Sequence, residues 1–114
     1  MPNLTFALPG ELTIFTAAET RDTLLAWLGQ IEDDAAVLIT ADQVGDVDGA
    51  GVQLLCSLAA LLDRQGRTWS IVHPTALLTR SCATLGLADW LSSATAIDAD
   101  LDGIFDAGEL PVAN

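Results

Sequence analysis

The chain has 114 residues, 51% of them hydrophobic, and sets 16 acidic residues against 4 basic ones for a formal charge of -12. That length fits one domain, which can bury a core without metal or disulfide help. The charge argues against nucleic acid and anionic membranes, which need a basic footprint, and favours a soluble protein, a basic partner surface or adaptation to salt.

Leu4–Leu8 alternates weakly and predicts an edge strand. Pro9-Gly10 is turn punctuation. Glu11–Thr16 (ELTIFT) is strand-like, with Leu12, Ile14 and Thr16 on one side, and the two strands suggest an opening hairpin. Thr16 and Glu19 have capping-box spacing, so a helix starts at Thr16. Leu24, Trp27, Leu28 and Ile31 recur at helical spacing and form its buried stripe.

Ala35–Ile39 is a short continuous apolar run, the pattern of a strand covered on both faces. Asp42–Asp48 is an acidic loop. Gly49 to about Gln65 is the strongest helix in the chain, and Gly66 suits its C-terminal cap. Thr68–His73 predicts a further strand, stopped by Pro74. Thr75 caps a helix with Leu77, Leu78, Cys82 and Leu85 as apolar positions, and Gly86 ends it. Ala88–Leu91 is a short apolar return, and Ser92–Ile97 reads as strand or loop.

Strand–helix alternation implies parallel pairing in the central sheet, with helices packed on it. The expected architecture is α/β: one domain over residues 1–96, a small mixed sheet of four to five strands, and an acidic tail or terminal helix over 97–114. Cys56 and Cys82 fall in apolar helical patterns and read as buried free thiols in a reducing cytosol. Met1-Pro2-Asn3-Leu4 lacks a basic region followed by an apolar run, and no apolar stretch is long enough to span a bilayer. The expected location is cytoplasmic, without membrane insertion.

The segment from Gly45 to Leu55 carries the most functional information. Asp46 and Asp48 stand at the helix mouth, and Gly49, Ala50 and Gly51 leave its first turn almost bare. Free amides point outward at such a start, and small residues allow another backbone to approach. Behind it, Val52, Leu55, Cys56, Ala59 and Leu62 form the core stripe. Ala50, Gln53, Ser57, Ala60 and Arg64 form a thinly polar opposite stripe flanked by Leu54 and Leu61. Either a partner covers this face or the chain itself does. The partner-contact reading selects Asp46, Asp48, Gly49, Ala50, Gly51, Gln53, Leu54 and Ser57.

At these residues the chain resembles a known family. ADQVGDVDGAGVQLLCSL, with GRTWSIVHP, LGLADWL and the opening PGELTIFTAAETRDTLLAWL, is similar to the STAS domain, which includes the anti-sigma factor antagonists. The resemblance runs from residue 4 to about residue 91. It implies a small mixed sheet with packed helices and a protein-binding role. In the antagonists, the residue before the motif glycine is a serine that a partner kinase phosphorylates, and the added charge breaks binding. Ala50 stands there, preceded by Gly49, so the usual switch is absent. Ser57 lies two turns further on and is a poor substitute. The partners implied are a kinase-like or anti-sigma protein or a chemosensory component. A second match, to STAS subunits of lipid-transport ABC complexes, implies an ATPase.

The tail matches an EF-hand loop: Asp98, Asp100, Asp102, Asp106 and Glu109 fall at loop positions one, three, five, nine and twelve, with Gly103 at six. Calcium is therefore a candidate ligand there, and no other cofactor is expected. Leu110-Pro111 stops the helix that should follow, so Asp98 or Asp100 as a plain helix cap is the preferred reading.

No catalytic constellation is visible. His73 is the sole histidine and reads as packed or capping. Gly49-x-Gly51 is a fragment of a dinucleotide fingerprint, beside carboxylates that would repel phosphate. A P-loop lysine is impossible in a chain without lysine. Trp27, Trp69 and Trp90 read as core or edge-of-core residues.

Overall fold

The computed structural model describes residues 4–95. Five strands and four helices follow one another along them: β1 (Leu4–Ala7), β2 (Glu11–Leu12), α1 (Ala17–Leu28), β3 (Val37–Thr40), β4 (Asp46–Val47), α2 (Gly49–Arg64), β5 (Trp69–Val72), α3 (Ala76–Thr84) and α4 (88–95). The strands form two sheets, one of order β1-β3-β5 and one pairing β2 with β4. Every pairing is parallel, in the registers Leu4↔Val37, Glu11↔Asp46 and Val37↔Trp69.

The expected strand number is met and β1 is an edge strand, but the hairpin does not form. β1 and β2 both pair forward, with strands that follow α1. The physical reason lies in the β2 segment, where only Glu11 and Leu12 extend and residues 13–16 turn instead. Leu12 is fully buried while Ile14 is 66% exposed, so the alternation read across ELTIFT does not hold.

The capping box at Thr16 is likewise absent. The Thr16 side chain makes no cap bond to the helix. Its hydroxyl donates to the Glu11 carbonyl at 2.8 Å and accepts the Thr13 N–H at 3.1 Å. It closes the turn before α1. Thr20, Leu24 and Leu28 form the buried stripe of α1. Trp27 and Ile31 are half-buried against the core, with Trp27 5.5 Å from the Phe6 ring.

Gly66 (φ 71°) follows the α2 C-terminus in the left-handed region, where glycine has no Cβ clash. Thr75 caps α3, its hydroxyl accepting the Leu78 N–H at 3.2 Å. Residues 92–95, read as strand or loop, continue the helix that begins at 88. Leu91 and Ala94 are its buried positions, three residues apart and hence on one face. The core gathers Leu12, Leu24, Val37, Ile39, Val44, Leu55, Leu62, Ile71 and Leu78, each no more than 2% exposed.

Candidate functional site: the mouth of helix α2

Asp48 organises the mouth. It is the N-cap of α2 in an extended conformation, and its Oδ1 accepts the Gly51 N–H at 3.0 Å. Its Oδ2 accepts the Ile14 N–H at 3.1 Å, from a turn 34 residues earlier. The Ile14 and Gly51 amides favour the charged form and hold the Asp48 carboxyl below its ordinary 3.8. One carboxylate therefore caps the helix and pins a neighbouring turn.

That turn is bonded throughout. The Thr13 hydroxyl donates to Glu11 Oε2 at 2.7 Å and accepts the Phe15 N–H at 3.2 Å. The Thr16 and Ala17 amides both reach the Thr13 carbonyl. With its backbone satisfied, the turn presents Ile14 (66% exposed) and Phe15 (88% exposed) to solvent. These two side chains are absent from the sequence-selected site, because ELTIFT read as a strand. The Thr13-x-x-Thr16 spacing is the signal that could have found them, since threonines close turns by bonding nearby backbone.

The small residues at the mouth divide by role. A Cβ on Gly49 would meet nothing within 4 Å. A Cβ on Gly51 would lie 1.8 Å from the Leu12 carbonyl oxygen. The close backbone approach expected there is made by the chain's own β2, so Gly51 is buried and packs the fold. Leu54 is also buried, at 8% exposure. Asp46, Gly49, Gln53 and Ser57 remain exposed, with Asp48 and Ala50 half-buried. Asp48 and Gly49 share a shallow cavity of about 200 Å³ with Ser81, Thr84 and Leu85 of the α3 end. Leu85 is 51% exposed. Asp48 thus adjoins two segments with exposed apolar side chains, the Ile14 turn and the α3 end.

The remaining candidates lie elsewhere. His73 is exposed just after β5 with φ 56°, which removes the packed alternative of the packed-or-capping expectation. Both cysteines are free; Cys82 is buried and Cys56, assigned to the core stripe, is only partly so. Burial pushes both thiols up in pKa, and the neighbouring Cys56 adds to the effect on Cys82. Among the described residues, no group of three or more His, Cys, Asp or Glu is placed to hold a metal. Asp98, Asp100, Asp102, Asp106 and Glu109, the candidate calcium ligands from the sequence, lie outside the described residues. No helix among those described is long and apolar enough to cross a membrane.

The described residues form a parallel-stranded α/β domain with a capped helix start beside exposed apolar side chains. A family model described as "Mlab, STAS domain" matches residues 3–96. The chain belongs to the STAS domain family. Comparison with curated proteins and with solved structures found no match.

Proposed function

We propose that this STAS domain is a non-catalytic regulatory module that binds another protein through the mouth of α2, in the manner of an anti-sigma factor antagonist. The partner is a kinase-like or chemosensory signalling protein. The observation that carries the reading is Phe15, 88% exposed on a turn tied by backbone and side-chain hydrogen bonds. A large aromatic held in water on an ordered turn contributes nothing to folding, and such a side chain is the usual anchor of a protein interface.

Gly49 and Gln53 at the helix start and Leu85 at the α3 end are also exposed. Ala50 stands at the position of the usual serine, so control by phosphorylation there is lost while docking is retained. Affinity purification from the native host, wild type against Phe15→Asp, tests the proposal. Loss of a kinase-like or chemosensory component with the variant supports it. Equal recovery of that component would remove the Phe15 surface from the interaction. Recovery of an ABC ATPase would instead select the lipid-transport subunit role.

A further inference from the structure

Asp48 and Gln65 cap opposite ends of α2, so the surface at Gln65 lies about 25 Å of helix away from the mouth. There the C-terminal ends of α1 and α2 border a cavity of about 470 Å³, lined by Leu25, Leu28, Gly29, Asp33, Gln65 and Arg67. Arg67 is 7% exposed and is the one charged side chain buried among the described residues. Its Nε donates to Gln65 Oε1 at 2.8 Å, and its Nη1 donates to the Glu32 and Ala35 carbonyls at 2.8 and 3.3 Å. Among the described residues Nη2 donates to nothing, and the one ion pair is Arg21 with Asp22. Every partner of this buried guanidinium is thus a neutral oxygen, which leaves its charge uncompensated. Gln65 spends its amide oxygen on Arg67, so its Nε2 hydrogens remain to donate beside it. An incoming carboxylate would satisfy both.

Asp33 supplies the opposite charge. The Glu32 carbonyl is bonded to Arg67 Nη1, and Asp33 is the next residue, so its backbone stands one peptide unit from the guanidinium. Its exposed carboxylate borders the same cavity yet pairs with no cation among the described residues. Leu25, 37% exposed, and buried Leu28 add an apolar wall. A simple anion would meet Asp33 here, in a chain of formal charge -12, and a simple cation would meet Arg67. A small molecule carrying both charges on neighbouring atoms, with an apolar group beside them, meets a complement at all three.

We infer that this cavity binds the zwitterion of an aliphatic α-amino acid, with its carboxylate at Arg67 and Gln65, its ammonium at Asp33 and its side chain on Leu25 and Leu28. The site stands apart from the proposed partner surface and is tested without a partner. Leucine is titrated into the full chain in a buffer free of phosphate and carboxylates, and backbone amide NMR spectra are followed. The expected result is saturable shifts at Leu25, Gly29, Asp33 and Gln65, with the Gly49–Gln53 resonances unmoved. Isocaproate lacks the ammonium and isoamylamine lacks the carboxylate. Each forfeits a charge-assisted bond and should bind at least about tenfold more weakly than leucine. Arg67→Gln also removes the bonds to Glu32 and Ala35, so Asp33→Asn, at an exposed residue, is the decisive variant. It should weaken leucine by the same factor, leave isocaproate no weaker than before and keep the urea midpoint of the wild type. No saturable shift with leucine would overturn the inference. So would isocaproate binding as tightly as leucine, which would make this a plain anion site. An Asp33→Asn protein that takes leucine as the wild type does would leave Arg67 only its bonds within the fold.

Discussion

Gly51 on α2 and Leu12 on β2 meet backbone to backbone: a Cβ added to Gly51 would sit 1.8 Å from the Leu12 carbonyl oxygen and 2.6 Å from its carbon. The same carbonyl accepts the Asp48 N–H at 3.3 Å. Helix α2 is thus seated directly on β2, which fixes where its mouth opens. The turn that follows β2 is carried to the same place, and Asp48 fastens it there through Ile14. The exposed apolar pair and the helix start are held in one geometry by packing in the core beneath them.

Two glycines two residues apart should therefore respond in opposite ways. Gly51→Ala forces backbone apart, and overpacking of this kind costs about 1–3 kcal/mol. Gly49→Ala meets open space and exchanges a poor helix former for a good one, a gain of up to about 1 kcal/mol. Urea denaturation of the two variants checks both signs. A Gly51→Ala protein as stable as wild type would contradict the close seating of α2 on β2.

Asp48 should make stability acid-sensitive. Its folded-state pKa lies below the ordinary 3.8, because the Ile14 and Gly51 amides prefer the carboxylate. A depressed pKa contributes stability that is fully present above the unfolded value and is lost as pH falls through the folded one. The window is therefore pH 3.8 and below. Thermal unfolding of Asp48→Asn, followed against pH, should lose less in that window than wild type. Parallel curves for the two proteins would show that the carboxylate is not what titrates.

The long helix, its glycine stop, the Thr75 cap and the parallel sheet were legible because each has a local cause: periodicity, a left-handed glycine, a hydroxyl three residues from a free amide, a continuous apolar run. What was not legible depended on distant partners. Leu12 is buried against α2, whereas Ile14, whose N–H donates to Asp48, is exposed, and nothing within ELTIFT distinguishes the two positions. Thr16 has the spacing of a capping box, but the Glu11 carbonyl claims its hydroxyl first. At the mouth, the sequence marked the small residues as a group. Only packing divides Gly51, which serves the fold, from Gly49, where a Cβ would meet open space.

The two thiols should be slow to react. Burial raises both pKa values, so the thiolate, the reactive form, is scarcer at neutral pH than for a free cysteine. Cys82 is buried and Cys56 partly so, which adds a steric barrier. Titration with an aromatic disulfide reagent should modify Cys56 before Cys82, both more slowly than a small-molecule thiol, and both rapidly in urea. Prompt labelling of Cys82 in the native protein would show that α3 opens at its inner face.

Ala50→Glu should separate stability from docking. Residue 50 is the second position of α2, whose first turn carries no acidic residue, and the positive end of the helix dipole favours a carboxylate there by about 0.3–1 kcal/mol. Ala50 is half-buried at the surface, so the longer side chain can extend into solvent beside Gly49 and Gln53. The fold should keep its stability or gain slightly, as read by urea denaturation. The same charge placed at the centre of a protein interface is desolvated without a partner and should weaken binding by at least tenfold. Calorimetry or surface-plasmon measurement with the partner recovered by affinity purification supplies the second reading. A variant that unfolds more easily and binds as before would reverse both expectations and place the contact surface away from the mouth of α2.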